Sequence, residues 1–248
     1  MKYFKPILFF LSTLLVLSCS SDDGKISFTL LQLNDVYEIS SIQGGKFGGM
    51  ARVETIHKKL LKENKNTMLV MAGDFLNPSL LGGMKLNGEK IRGKQMIEVM
   101  NAMNFDVVAF GNHEFDIPKN DLQNRINDSS FPWISSNVFN RTKDSIKPFY
   151  QEINGLQIPI KGSFIKEISD ADGTNIKIGF ISVCIPSNPK EYVLYTDMFN
   201  SIQKEYESIK DKVDVVIGLT HVKIEHDREI ARLLPNIPLI MGGHEHDH

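Results

Sequence analysis

Five short polar clusters stand out along the chain: Asn34-Asp35, Gly73-Asp74, Gly111-Asn112-His113, His221 and Gly243-His244-Glu245-His246. Each follows a short apolar run of β-type residues. One such residue is most simply a helix cap or a turn former. Five at separate strand ends are hard to explain as caps. Carboxylate, carboxamide and imidazole together make a ligand set for a divalent ion of intermediate hardness such as zinc, manganese or iron, and the lack of clustered cysteines argues against a structural zinc site. The set is large enough for two ions. Two adjacent cations can activate a shared water, neutralise phosphoryl oxygens and hold the attacking oxygen in line with the leaving group. A carboxylate must then bridge them, and Asp74 is the natural candidate.

The elements that must position these residues follow from periodicity. Strands are predicted at Ser27–Leu33, Thr67–Ala72, Val107–Phe110, Trp133–Ser136, Lys177–Cys184, Val213–Leu219 and Pro238–Met241. Between them, apolar residues recur at three and four positions over Ala51–Leu61, Gly93–Met103, Met198–Lys210 and Asp227–Leu234, which predicts helices. This alternation argues for a layered α/β domain over residues 27–248. In such a fold, polar residues just after a strand face the crevice at its carboxyl end. The stretch 140–172, punctuated by Pro148, Gly155, Pro159 and Gly162, breaks the rhythm and reads as a hairpin excursion.

A chain of 248 residues with 42% hydrophobic residues can bury a sizeable core. Its net charge of -2 gives no reason to expect a nucleic acid polymer as partner, so any phosphate recognition must be local. At the N-terminus, Lys2 and Lys5 precede an apolar run, Ile7 to Leu17, which is too short for a permanent membrane span of roughly 20 residues and reads as an export signal. Val16-Leu17-Ser18-Cys19 resembles a bacterial lipoprotein cleavage site. Residues 1–18 would then be a signal peptide, Cys19 the lipidated residue and residues 19–26 a tether, giving an exported, membrane-anchored protein of the cell envelope, in the periplasm or at the surface. The other cysteine, Cys184, lies in an apolar run and is expected to be a buried, inert thiol.

With the elements in place, the sequence resembles the calcineurin-like metallophosphoesterases, and within them the exported 5'-nucleotidase branch. The matching segments are Leu33-Asn34-Asp35, Gly48-Gly49-Met50-Ala51-Arg52, Gly73-Asp74, the run GNHEFD from Gly111 to Asp116, Ser136-Asn137, Thr220-His221 and GGHEH from Gly242 to His246. The resemblance implies a four-layer αββα sandwich with helices outside two facing mixed sheets. It implies two divalent ions, one held by Asp35, Asp74 and His246 and the other by Asp74, Asn112, His221 and His244. It also implies that His113 donates a hydrogen bond or proton at the phosphoryl group or leaving oxygen, with Asp116 orienting it. In that family a further domain grips the nucleoside; the sequence stops at His248, so that half is expected to be absent, the chain being either a fragment of a longer gene or a natural short product.

One position departs from the pattern. The family usually has a histidine two residues after the first aspartate, and here it is Tyr37. Tyr37 either touches the metal or packs over the site, with Glu38 or water as other candidates for the gap. His57 and His226 are expected at the surface, and His248 belongs to the terminal His-rich run. Lys46, Arg52 and Arg92 could meet phosphate but are not separable from solvated charges. The expected reaction is metal-dependent hydrolysis of a small phosphate ester, with a nucleoside 5'-monophosphate foremost. A nucleotide-sugar or cyclic-nucleotide phosphodiesterase is the enzymatic alternative, and a surface-binding lipoprotein that no longer catalyses is the alternative of another class. A pure binder has no use for the His113–Asp116 pair, which favours catalysis. The sequence leaves the oligomeric state open.

Overall fold

The computed structural model describes residues 24–246; the expected signal peptide, Cys19 and His248 lie outside the described residues. Two four-stranded sheets frame the molecule. The first consists of β1 (Thr29–Leu33), β2 (Thr67–Met71), β3 (Val107–Ala109) and β4 (Trp133–Ile134), paired in that order and all in parallel. The second consists of β5 (Ser163–Ser169), β6 (Asn175–Ile181), β7 (Val215–His221) and β8 (Leu239–Gly243), with β5 antiparallel to β6 and the other pairs parallel. The two expected sheets are thus present, the second mixed and the first parallel throughout these four strands.

Parallel neighbours need crossovers, and helices supply them. They are α1 (Met50–Glu63), α2 (Lys94–Met103), α3 (Lys119–Asp128), α4 (Met198–Ile209) and α5 (Ile224–Leu233). β2 reads Thr-Met-Leu-Val-Met and is buried at every position, as a strand covered on both faces must be. Its Met68 and Val70, with Val107 of β3, pack against Phe180 of β6 and Leu219 of β7, forming a core between the sheets. The alternate residues Leu69, Met71 and Val108 face the other way. They pack against Met96 and Met100 of α2 and Leu122 of α3. A third core joins Ile181 and Val216 to Ile202 of α4 and Ile230 of α5. The layers are therefore helix, sheet, sheet, helix.

Several elements differ from the sequence expectation. α3 has no counterpart among the expected helices, because Leu122 and Ile126 are the sole apolar residues in its ten. Packing rather than periodicity holds it helical. α5 begins at Ile224, before the expected Asp227. β6 ends at Ile181 instead of Cys184, although Cys184 keeps a parallel bridge to His221 in the same register, and the Asn137 side chain donates to Cys184 O at 2.8 Å and accepts from Cys184 N at 2.9 Å. The excursion over 140–172 contains the expected hairpin, Tyr150–Ile153 against Leu156–Pro159, and then runs into β5, the edge strand of the second sheet. Cys184 is a buried free thiol, as its apolar run implies, and burial pushes its ionisation far up.

Candidate metal centre

The segments that follow β1, β2, β3, β7 and β8 meet at one end of the sandwich, and close backbone approach makes the meeting possible. Gly73 has φ +84°, and a Cβ there would lie 2.6 Å from Gly111 N and 2.7 Å from His221 Nδ1. A Cβ on Gly243 would collide with the Ala72 carbonyl oxygen and come 2.9 Å from His221 Nδ1. Asp35, Asp74 and His244 themselves stand at φ 53°, 58° and 84°. These values are rare for residues with a Cβ and persist where surrounding structure enforces them, most often at functional sites.

His221 is fully buried. Its Nδ1 donates to Ala72 O at 2.7 Å, which turns Nε2 toward Asp74 Oδ2 at 3.1 Å and Asn112 Oδ1 at 3.2 Å, where the deprotonated nitrogen would serve as a metal ligand. His244 Nδ1 lies 3.2 Å from the same Asn112 oxygen. The donor atoms of Asp74, His221 and His244 all fall within 4.8 Å of one another. Beyond Asp74 Oδ2, the Tyr37 hydroxyl lies 3.4 Å from that oxygen, 3.4 Å from Asp35 Oδ1 and 3.3 Å from His246 Nε2. His246 Nε2 is in turn 3.1 Å from Asp35 Oδ1. Asp74 Oδ2 is the atom common to both groups. Among the described residues no second trio of His, Cys, Asp or Glu donors gathers as tightly as Asp74, His221 and His244.

This donor set fits a divalent ion. Atoms each bound at about 2.1 Å to one ion stand roughly 3 Å apart, which is close to the spacing of His221 from Asp74 and of Asn112 from both His221 and His244. The electrostatics agree. Burial works against a charge on His221, but the Asp74 carboxylate outweighs it and pushes the imidazole up to about 9, so this pocket favours a positive charge. His244 is held below its ordinary value by burial and by the charge on His221.

The remaining expected residues fall as follows. His113 donates its backbone N–H to Asp74 Oδ1 at 2.7 Å, and its Nδ1 meets Asp116 Oδ2 at 2.6 Å. Its ring stands edge-on to Tyr37, with centroids 6.1 Å apart. Burial raises the Asp116 carboxyl, but bonds from His113 and Lys190 outweigh this and hold it below the ordinary value. Glu38 does not fill the corner left by the missing histidine, because its carboxylate accepts from Leu80 N at 2.5 Å and Ser79 Oγ at 3.3 Å. His57 is not a surface residue: it is buried, with Nδ1 3.2 Å from Glu54. His226 is half-buried against Phe199. Arg52 donates to the Gly48 and Gly45 carbonyls, Arg92 pairs with Asp121, and Lys46 is exposed.

Two residues escaped the sequence reading. Glu114 is fully buried, and its oxygens accept from Asp74 N (2.8 Å), Gly111 N (2.6 Å), Phe75 N (2.7 Å) and Leu76 N (3.1 Å). The available signal was an acidic residue inside the GNHEFD run with no ligand role. Lys190 places its ammonium 3.0 Å from Asp116 Oδ1, and nothing in its local sequence marked it.

Comparison with known proteins bears on all of this. The family model for calcineurin-like phosphoesterase matches residues 28–248. The snake venom 5'-nucleotidase of Naja atra is 30% identical over 234 residues, covering 89% of this chain and 41% of the venom protein. The 5'-nucleotidase of Homo sapiens is 28% identical over 235 residues, covering 89% of this chain and 38% of its own length. The chain thus spans about two fifths of the length of these relatives. Among solved structures, the NAD nucleotidase of Haemophilus influenzae superposes with a TM-score of 0.66 at 26% identity, covering 88% of this chain and 38% of that one. The 5'-nucleotidase precursor of Thermus thermophilus gives a TM-score of 0.69 at 23% identity, covering 88% and 41%, which is a likeness of fold.

Proposed function

Because this chain belongs to the calcineurin-like phosphoesterase family, we propose that it hydrolyses phosphate monoesters at a two-ion centre, with nucleoside 5'-monophosphates as its substrates. The observation that carries the reading is the meeting of Asp74, Asn112, His221 and His244 in one group, joined through the Tyr37 hydroxyl beside Asp74 Oδ2 to a second group of Asp35 and His246. Asp74, Asn112, His221 and His244 would hold one ion. Asp35, Asp74 and His246 would hold the other, with Tyr37 at its edge. When bound, such ions supply charge neutralisation at the phosphoryl oxygens and an activated water. In the reaction a water oxygen forms the new bond to phosphorus while the ester P–O bond breaks, and the leaving oxygen needs a proton. His113 is the group to give it, because its Nδ1 is committed to Asp116, which fixes the ring and frees Nε2 for that task.

Names among the relatives include both 5'-nucleotidase and NAD nucleotidase, so a phosphodiester substrate is the second reading. The test is hydrolysis of adenosine monophosphate and an aryl phosphate, read as released phosphate, and of NAD and a sugar-nucleotide, read as the two monophosphates formed when the diphosphate linkage is cut, with manganese or zinc added. Asp74→Asn is expected to lose both metal and turnover. His113→Ala should keep its metal and lose rate by a factor on the order of a hundred or more. If both variants turn over like the parent, the site assignment is wrong.

Residues 1–18 as a signal, Cys19 as a lipid anchor and residues 27–248 as one domain complete the proposal. No helix of the described residues is long and apolar enough to cross a membrane. Cys19→Ser should move the protein from the membrane to the soluble fraction; retention in the membrane would remove the anchor.

A further inference from the structure

The Asp116 carboxylate has two oxygens and both are taken. Oδ2 meets His113 Nδ1 at 2.6 Å, and Oδ1 meets Lys190 Nζ at 3.0 Å. Lys190 belongs to neither sheet. It sits in the segment between β6 and the short strand Val193–Tyr195, which pairs antiparallel with Val138–Arg141. That segment grips the Asp116 turn at further points. The Tyr192 hydroxyl lies 3.0 Å from Phe115 O and 2.9 Å from Ile117 O, so it shares its hydrogen between the carbonyls on either side of Asp116. The segment is itself anchored, with Arg141 N donating to Tyr192 O at 2.8 Å, Arg141 Nε donating to Glu191 O at 2.9 Å and Val193 N closing back on Lys190 O at 3.0 Å.

We propose that Lys190 is a positioning residue of the hydrolytic reaction, clamping Asp116 so that His113 presents its free nitrogen along one direction to the leaving oxygen. The inference rests on the role given above to His113. A carboxylate held at one oxygen can turn about its Cβ–Cγ bond, and the imidazole turns with it. Held at both oxygens, with Tyr192 fixing the backbone on either side, it cannot. A small misplacement of a catalytic group carries a large rate penalty, since the reacting atoms must lie within about 3–3.5 Å. Lys190 is 40% exposed at its side chain and Asp116 19%, so the pair lies at the mouth of the site, where the value of an ion pair is geometric more than energetic.

The clamp has a signature that a structural role lacks. Proton donation matters most when the leaving oxygen is a poor leaving group, such as an alkoxide or a nucleoside 5'-oxygen. It matters little when the leaving group is a stabilised nitrophenolate. The experiment compares kcat and KM of the parent, Lys190→Met, Lys190→Arg and His113→Ala on adenosine monophosphate and on p-nitrophenyl phosphate, with bound metal measured in each. Lys190→Met is expected to lose about tenfold in kcat on adenosine monophosphate and much less on the nitrophenyl ester, with KM and metal content unchanged, and Lys190→Arg should recover most of the loss. His113→Ala should show the same selectivity at larger amplitude.

Equal kcat losses on both substrates would make Lys190 a merely structural residue and overturn the proposal. A rise in KM on both would make it a phosphate-contacting residue and overturn it equally. If His113→Ala loses rate evenly on both substrates, the role of His113 falls and the clamp falls with it. If His113→Ala is selective and Lys190→Met is not, the clamp alone falls.

Discussion

A single side chain separates this centre from a symmetrical one. Tyr37 stands where the resembling family has histidine, and the sequence left open whether it touches the site. Its hydroxyl lies within 3.4 Å of Asp35 Oδ1, Asp74 Oδ2 and His246 Nε2, so it occupies that corner. Burial, then the charges of Asp74 and Asp35, push its ionisation far up when no cation is bound. A neutral phenol donates its one hydrogen to a carboxylate oxygen that an ion would otherwise use, and it is a weak ligand itself. Tyr37→His replaces this donor with an imidazole lone pair. Metal analysis after dialysis should find more tightly held ion per chain in Tyr37→His than in the parent, with the gain at the Asp35 and His246 side. Equal metal content in the two would mean that Tyr37 does not limit the first site.

At the scale of elements, the centre depends on how the loops after β2 and β3 are tied together, and the knot is Glu114. Its Oε2 accepts from Asp74 N and Gly111 N, and its Oε1 from Phe75 N and Leu76 N. Burial and the Asp74 charge push this carboxyl up to about 7, against the pull of its backbone donors. Glu114→Gln keeps the shape but turns one oxygen into an amide that cannot accept, stranding two buried N–H groups. Each stranded donor costs about 1–3 kcal/mol, so a loss on the order of 2 kcal/mol or more is expected from denaturant unfolding. Unchanged stability would mean that the loops hold each other without the carboxylate. The sequence made the strand ends legible because ligand residues and glycines cluster directly after apolar runs. Asn112, His221 and His244 could be picked out individually for that reason. Glu114 and Lys190 could not, because their roles are set by backbone donors and by a carboxylate distant in sequence. α3 was hidden for a related reason: two apolar residues suffice when a formed core receives them, but they do not make a period.

At the scale of the whole molecule, the distribution of donors matters more than their number. Asp35, Asp74 and Asn112 follow strands of the first sheet, while His221 closes β7 of the second and His244 and His246 follow β8. An ion held between them would tie the two sheets together at the end where the inter-sheet core gives way to polar loops. Anything that binds the folded state and not the unfolded one stabilises it by mass action, amounting to about 2.7 kcal/mol at a free concentration one hundred times Kd. The strained backbone at Asp35, Asp74 and His244 adds to the need, because without an ion the neighbouring carboxylates rest on a few backbone and side-chain donors and on the His221 imidazole, which, against the effect of burial, Asp74 pushes up to about 9. Removing metal with a chelator should therefore lower Tm by several degrees, and adding manganese or zinc back should restore it. In Asp74→Asn the shared oxygen is lost, so its Tm should not respond to chelator or added ion. If the parent melts at the same temperature with and without chelator while metal analysis confirms that the ion has gone, the donors do not bind as a unit across the sheets, and the two-ion centre would have to be replaced by a site confined to one of them.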